Sequence, residues 1–245
     1  MKKSISILVA FISCLLFTNC SSENNSPSIQ NQPQTFVKKM IVSEYNDQSE
    51  VTFVGTLEFF YNENKQVSYI TKTDTSPTGA VLGTSTYSYQ YIDDKIVSYN
   101  ITNGNTNEVL YDVNQLINVG YGSNLVYYSN GDMRKDPYGT ELIYQNNNET
   151  GTLDNPTIYS YDDKKNPFLN HNSYFKIIFD EQFEAYRSKI IFKSINNIVT
   201  QNNIPNNTIS NLIIYNTDNF PSEIKAQNVV SSNTLGKFNF EYVSL

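Results

Sequence analysis

The sequence predicts an all-β protein, in which antiparallel strands form a meandering, twisted sheet able to curl into an open half-barrel. The composition favours strands, because aromatic residues make up 13% of the 245 residues, with 19 Tyr and 14 Phe. Short segments alternate between apolar and polar side chains with a period of two, which is typical of half-buried strands. The breaks between these segments are rich in Asn and Asp, which favour tight turns. A two-sheet sandwich is the alternative architecture.

The alternating segments start near Phe36 and continue to the end of the chain. In one of them, Tyr87, Tyr89 and Tyr91 fall on the same face of the predicted strand. The segments predicted as strands are 51–61, 84–92, 96–101, 124–128, 141–144, 157–161, 174–179, 208–215 and 237–243. Turn residues such as Asn103-Gly104 and Asn130-Gly131 separate them and predict hairpins. Residues 165–172 and 181–188 are the best helix candidates, but each is long enough for only a turn or two.

The first residues have the composition of an export signal. Lys2 and Lys3 precede an apolar segment that is too short to span a membrane as a helix. The segment ends in Leu16-Phe17-Thr18-Asn19-Cys20, which resembles the lipobox of bacterial lipoproteins, with Asn19 in place of the usual small residue. The resemblance implies cleavage after residue 19 and acylation of Cys20, which would attach the protein to a membrane.

We therefore expect three parts: a signal peptide over 1–19, a lipidated Cys20 with a flexible tether over 20–35, and a single all-β domain over 36–245. The tether is polar and cannot bury enough apolar surface to fold. Cleavage removes Lys2 and Lys3 and no acid, so the net charge changes from −7 to −9, with 15 basic and 24 acidic residues. This charge disfavours nucleic acid as a partner.

A degenerate unit, in which an aromatic residue is followed by Asn or Asp and a polar turn, recurs along the chain. It resembles tyrosine–aspartate hairpin repeats and, more closely, a group of Bacteroidetes lipoproteins of unknown activity. The likeness is strongest over 120–245. Three segments carry it: 159–168 (Tyr-Ser-Tyr-Asp-Asp-Lys-Lys-Asn-Pro-Phe), 196–199 (Asn-Asn-Ile-Val) and 215–221 (Tyr-Asn-Thr-Asp-Asn-Phe-Pro). The resemblance implies a β fold and an envelope location, and it implies no activity.

Catalytic and metal chemistry find little support in the sequence. His171 is the only histidine, and its polar neighbours predict an ordinary exposed or loop residue. One His and no cysteine after Cys20 argue against a zinc site, and we expect no metal and no cofactor. Gly120-Tyr121-Gly122 lacks the third glycine of a dinucleotide fingerprint and predicts a bend. The acidic pairs 93–94, 162–163 and 180–181 are each expected at hairpin tips, where acids are common in turns.

The surplus of tyrosine is the compositional feature most relevant to binding. Five of these residues fall within one short region: Tyr121, Tyr127, Tyr128, Tyr138 and Tyr144. An exposed tyrosine ring suits sugars and protein partners, so these five are the candidate ligand-binding residues. The competing interpretation, which we favour, is that the rings form cross-strand pairs that stabilise the sheet.

The predicted function is that of a non-enzymatic binding or structural lipoprotein of the cell envelope. We expect it at the outer membrane, held by its N-terminal lipid, with a glycan or another envelope protein as partner. The sequence leaves open which face of the membrane it occupies. One alternative is a glycan-binding accessory of a nutrient-uptake system, and another is a hydrolase that uses two carboxylates. A carrier of apolar ligands is a third alternative.

Overall fold

The computed structural model describes residues 33–102, 104–112, 115–120, 122–129, 132–153, 158–183, 194–203 and 207–245. The predicted signal peptide, Cys20 and all of the tether before residue 33 lie outside the described residues. Seventeen strands and one helix occupy the described part. In chain order they are β1 Thr35–Tyr45, β2 Val51–Tyr61, β3 Val67–Thr75, β4 Val81–Ile92, β5 Lys95–Ile101, β6 Thr106–Glu108, β7 Leu110–Asp112, β8 Gln115–Asn118, β9 Val126–Tyr127, β10 Met133–Lys135, β11 Leu142–Gln145, β12 Asn148–Thr152, β13 Ile158–Tyr161, α1 Ser173–Gln182, β14 Ile198–Asn203, β15 Asn207–Tyr215, β16 Pro221–Asn228 and β17 Thr234–Ser244.

Thirteen strands form one antiparallel sheet in the order β11-β12-β13-β14-β15-β16-β17-β1-β2-β3-β4-β5-β6. Each strand pairs with its neighbour along the chain, except that β1 pairs with β17 and so joins the two ends of the compact unit 34–245 in mid-sheet. The sheet is not closed, and β11 and β6 are its edges. Two ribbons, β7–β8 and β9–β10, lie outside this order. The predicted meandering antiparallel sheet is confirmed.

Five hairpin tips share one turn geometry. The first residue of each tip accepts a hydrogen bond from the backbone N–H four residues later, and these residues are Asn46, Asn62, Ser76, Asp136 and Asn216. The fourth residue of each tip has a positive φ, and these residues are Ser49, Lys65, Gly79, Gly139 and Asn219. Asn and Asp form such turns readily, because their short side chains mimic a backbone carbonyl. The turns predicted at Asn62 and Asn216 are therefore hairpin tips of this kind, whereas Asn103, Asn130 and Gly131 of the predicted Asn-Gly turns lie outside the described residues.

Several tyrosines form hydrogen bonds between neighbouring strands at the ends of hairpins opposite their tips. The hydroxyl of Tyr91 in β4 donates to the carbonyl of Val67 in β3 at 3.0 Å. Tyr242 in β17 donates to the carbonyl of Pro221 in β16 at 2.6 Å. Tyr61 bonds in the same way to the Val37 carbonyl. Each bond gives a buried polar tip a partner, so these tyrosines stabilise the sheet.

The core lies between one face of the sheet and α1. Met40, Leu57 and Ile70, from three adjacent strands, are fully buried beneath the helix layer. The helix contributes Phe175, Ile178 and Phe179, and Phe168 from the preceding turn joins them. Phe168 and Phe179 contact each other at a centroid distance of 5.0 Å, and each contacts Phe59 of β2. This aromatic cluster fixes α1 against the sheet.

The strand predicted over 174–179 is wrong, because this segment forms most of α1. Its buried residues are Phe175, Ile178 and Phe179. The last two lie three and four residues after the first, which is the spacing of one helical face rather than the period of two of a strand. Asn172 caps the helix by accepting hydrogen bonds from the N–H groups of Tyr174 and Phe175. The two helix candidates miss it: 165–172 forms bends and turns, and of 181–188 only the first two residues are helical, with 184–188 outside the described residues.

Candidate functional site

Three of the five candidate tyrosines lie together. Tyr127 in β9 and Tyr144 in β11 line a first cavity of about 200 Å³. Tyr144 also lines a second cavity of about 420 Å³, together with Tyr128 and Ile143. The two cavities share Tyr144 and Asp132 in their walls, and we refer to them together as the tyrosine cleft. The fold thus places tyrosines that belong to or follow two short strands on one concave surface.

The two remaining candidate tyrosines are not part of this arrangement. Tyr138 is 54% exposed in the turn that Asp136 begins, and it lines neither cavity. Tyr121 lies outside the described residues. Its neighbours Gly120 and Gly122 both have positive φ, at 91° and 73°, so the predicted glycine bend is confirmed at both positions.

The β9–β10 ribbon fixes one wall of the tyrosine cleft. Tyr127 pairs with Met133 across the ribbon, and the N–H of Tyr128 donates to the carbonyl of Asp132 at 2.8 Å. The Tyr128 hydroxyl donates to the carbonyl of Leu142 at 3.1 Å, which joins the ribbon to β11. The Tyr128 ring is nevertheless 40% exposed. The hydroxyl end of the Tyr128 ring is therefore fixed by a hydrogen bond, while part of the ring is exposed to solvent.

Helix α1 supplies the opposite wall of the first cavity. Ser173, Lys176 and Ile177 line it, and their spacing of three and four residues puts them on one helical face. The first turn of α1 contains no acidic residue, so no side chain of that turn offsets the partial positive charge of the helix N-terminus. Asn147, from the turn between β11 and β12, and Ile195 complete the wall. The cavity thus combines aromatic, apolar and polar surfaces.

Lys176 lines the first cavity, but the sequence pattern did not mark it as a candidate binding residue. Burial lowers the pKa of its amine, because the charged form loses solvation. Five ion pairs join described residues, and none of them includes Lys176. Asp132 is the one carboxylate among the described residues that line either cavity, and it has interaction partners of its own. No local signal marks Lys176, because its position depends on a helix that the sequence pattern did not predict.

His171 is a loop residue, as predicted, but the structure corrects its expected exposure. It is 6% exposed and packs among aromatic rings, with Phe168 at a centroid distance of 4.9 Å and Phe36 at 5.4 Å. Its Nε2 lies 2.9 Å from the hydroxyl oxygen of Tyr61, which itself donates to the Val37 carbonyl, so Nε2 carries a proton. Burial and the nearby Lys176 ammonium lower the His171 pKa to about 3. The imidazole is therefore neutral and structural.

The acidic pairs divide between two environments. Asp93-Asp94 and Asp162-Asp163 lie in turns, as predicted, but Asp180-Glu181 lie in α1 and are buried, so their expected place at a hairpin tip is wrong. Asp162 accepts hydrogen bonds from the Tyr215 hydroxyl and from the N–H of Asn197. These contacts give Asp162 a structural role in the turn. Among the described residues, no group of three His, Cys, Asp or Glu side chains is placed to hold a metal ion.

Comparison with known proteins identifies a fold. The crystal structure of a porin-like protein from Bacteroides uniformis matches with a TM-score of 0.51 at 10% identity, covering 84% of this chain and 98% of that chain. A porin-like protein from Bacteroides vulgatus matches at 11% identity with a TM-score of 0.26, covering 86% of this chain and 100% of that chain. No family model and no curated protein matches the chain. The first likeness shows a porin-like β fold, and the second is too low in TM-score to add to it.

The described residues contain no helix long and apolar enough to cross a membrane.

Proposed function

We propose that this chain is a lipid-anchored protein of the cell envelope whose β domain binds a ligand in the tyrosine cleft and performs no chemistry on it. The anchor in this proposal is Cys20, as the lipobox-like sequence predicts. The description of the Bacteroides uniformis neighbour as porin-like is compatible with an envelope location. The outer membrane is the proposed site.

The observation that carries the binding role is the placing of Tyr127, Tyr144 and Lys176 around one cavity. Most other tyrosines with a role in the sheet have their hydroxyls bonded to a backbone carbonyl, as Tyr91 and Tyr242 do. Tyr127 and Tyr144 line a concave space, and Tyr128, whose hydroxyl also bonds to a backbone carbonyl, keeps an exposed ring beside it. Ligand sites combine such apolar and aromatic walls with a few polar groups that orient the ligand.

The mature chain labelled with 3-fluorotyrosine tests this proposal. We expect a library of small polar fragments to yield ligands that shift the ¹⁹F resonances of Tyr127 and Tyr144, assigned by Tyr→Phe substitution. The resonance of Tyr69 serves as the control, because this ring lies on the sheet and stacks on Phe60 at 4.3 Å. If the ligands instead shift Tyr69 and leave Tyr127 and Tyr144 unchanged, the tyrosine cleft is not the binding site.

Two of the three functional alternatives receive different support from the structure. A hydrolase with two carboxylates needs a pair of acids about 5 to 9.5 Å apart across a cleft. Asp132 is the only carboxylate among the described residues that line the tyrosine cleft, so the geometry offers the hydrolase no support there. A glycan-binding role needs aromatic faces beside polar groups, and the first cavity has both. The glycan-binding accessory is therefore the second candidate function.

A further inference from the structure

The walls of the first cavity are chemically unequal. Lys176 places an ammonium group in a surface that otherwise includes Tyr127, Tyr144 and Ile177. A partly buried cation without an ion pair loses solvation that no opposite charge offsets. An anionic group of a ligand would provide that charge. The acid-free first turn of α1 favours an anion at the same place.

The rest of the wall restricts what kind of anion fits. Asp132 lines the same cavity, and its negative charge disfavours a dianion such as phosphate. A carboxylate carries a single charge and pairs with an ammonium group at hydrogen-bond distance. Asp132, Asn147 and Ser173 offer further donors and acceptors around the cavity, which suit a ligand with several hydroxyls.

The shape and size of the two cavities also suit a sugar. Tyr127 and Tyr144 present the flat, partly apolar surfaces on which the C–H face of a sugar ring stacks. The first cavity, at about 200 Å³, is smaller than the pockets of drug-sized ligands and suits one ring. The second cavity, which shares Tyr144, has room for a neighbouring unit beside the exposed ring of Tyr128.

We propose that the tyrosine cleft binds an acidic sugar, with the ring of one uronate unit between Tyr127 and Tyr144 and its carboxylate on the amine of Lys176. This inference rests on the proposed binding function and names its ligand class. Asp132, Asn147 and Ser173 accept or donate hydrogen bonds to the sugar hydroxyls. The second cavity receives the rest of the glycan.

A matched pair of sugars tests the role of the charge. Methyl β-D-glucuronide and methyl β-D-glucoside differ only in the carboxylate at the sixth carbon. In titrations of the mature wild-type chain, we expect the glucuronide to bind about tenfold more tightly, which is the usual gain from a hydrogen bond to a charged group. Lys176→Met should remove this difference. Lys38→Met, a change at an exposed position of β1, should preserve it.

A second measurement uses the wild-type sequence, so its result does not depend on whether Lys176→Met folds. Reductive ¹³C-methylation labels the lysine amines and keeps their charge. Binding of the glucuronide should raise the titration midpoint of the Lys176 resonance, because a bound carboxylate favours the protonated amine. The glucoside should leave that midpoint unchanged, and neither sugar should move the resonance of Lys38.

The outcomes separate the inference from the proposed function. Equal affinity for the two sugars, or no binding of either, overturns the uronate assignment. Phenylacetate, an acid without hydroxyls, is the third probe. If it binds more tightly than the glucuronide and depends on Lys176, the cleft is a binding site but not for sugars, so the inference fails while the proposed function stands. A loss of glucuronide binding in Tyr127→Ala, with Lys38→Met unaffected, supports both.

Discussion

The hydroxyl oxygen of Tyr61 lies 2.9 Å from Nε2 of His171, although 110 positions separate the two residues in the chain. Tyr61 ends β2, and His171 lies just before α1, so this contact joins the sheet to the turn that starts the helix. Tyr61 also donates to the carbonyl of Val37. The hydroxyl of this partly buried tyrosine thereby gives partners to polar groups from two other parts of the fold, so the contact tests how the helix is held against the sheet.

The protein should lose stability as the pH is lowered, because His171 is harder to protonate in the folded state than in the unfolded state. Its pKa is about 3 in the folded state, against about 6.5 for an unperturbed histidine, so the unfolded state binds the proton first. The contribution to stability is complete above pH 6.5 and decreases as the pH falls towards 3. At 1.36 kcal/mol per pH unit, about 2 kcal/mol is lost between pH 6.5 and pH 5.

Urea unfolding of wild type and His171→Phe across this pH range measures the effect. Phenylalanine keeps an aromatic ring in the site and removes the titrating group. We expect the difference in unfolding free energy between the two proteins to change by about 2 kcal/mol in favour of the variant as the pH falls to 5. Parallel curves for the two proteins would show that His171 does not titrate differently on unfolding.

Removing the Tyr61 hydroxyl should destabilise the fold. Tyr61→Phe leaves the Val37 carbonyl without this donor and the His171 imidazole without its acceptor, and we expect a loss of about 1–2 kcal/mol. Tyr69→Phe is the matched control, because the Tyr69 ring is 37% exposed and no hydrogen bond of its hydroxyl occurs among the described residues. Its cost should be below about 0.5 kcal/mol. Similar losses in the two variants would contradict the role of Tyr61.

Asn216 should matter more than its neighbour Asp218 in the same hairpin tip. The Asn216 side chain accepts hydrogen bonds from the N–H groups of Asp218 and Phe220, each at 3.0 Å. Asn216→Ala removes both, and we expect a loss of about 1 kcal/mol in chemical unfolding. Asp218→Ala, at an exposed position without such contacts, should change the free energy of unfolding by less than about 0.5 kcal/mol. The reverse order would show that the tip is not organised by Asn216.

Two glycine-to-alanine substitutions should differ in their effect on the free energy of unfolding. Gly122 has a φ of 73°, and a Cβ there would lie 2.5 Å from the carbonyl oxygen of Pro137, so Gly122→Ala should cost about 2 kcal/mol or more. Gly83 in β4 has open space around the same position. Gly83→Ala should leave stability unchanged or raise it by a few tenths of a kcal/mol, because alanine restricts the unfolded chain. Thermal unfolding of the two variants distinguishes these cases, and a neutral Gly122→Ala would contradict the bend.

The two cysteines should differ in their effect on membrane attachment. Cys20→Ala removes the predicted acylation site, so we expect the protein to leave the membrane fraction and to lose labelling by radioactive palmitate. Cys14→Ala is the matched control, because it changes the only other cysteine and lies within the predicted signal peptide. It should leave both measurements unchanged. A membrane fraction equal to that of wild type in Cys20→Ala would exclude the lipid anchor.

Local pattern was sufficient for much of the sheet. The segments predicted over 51–61 and 208–215 match β2 and β15 closely, because alternation between faces is encoded within the strand itself. The hairpin tips at Asn62 and Asn216 were predicted as turns, since the turn at Asn62 depends on side-chain bonds to residues two and four positions later. The tips at Asn46, Ser76 and Asp136 were not among the predicted turns. Strands such as β1 and β16 were missed, because their lysines and other polar residues interrupt the apolar signal.

The candidate site was predicted in part. The clustering of Tyr127, Tyr128 and Tyr144 in sequence anticipated one wall of the tyrosine cleft, because strands joined by short connections stay close in space. The opposite wall could not be predicted in this way. Lys176 reaches the cleft only because α1 packs across the sheet, and the apolar residues of α1 were assigned to a strand.

The sequence by itself determined the all-β class and turns such as those at Asn62 and Asn216, because both depend on side chains within a few residues of each other. The tertiary structure decided the environment of His171, the helical state of 174–179 and the second wall of the cleft. Each of these depends on contacts between distant segments, such as Tyr61 with His171. The packing of aromatic side chains between α1 and the sheet favours the helix there, because its spacing of three and four residues buries Phe175, Ile178 and Phe179 together.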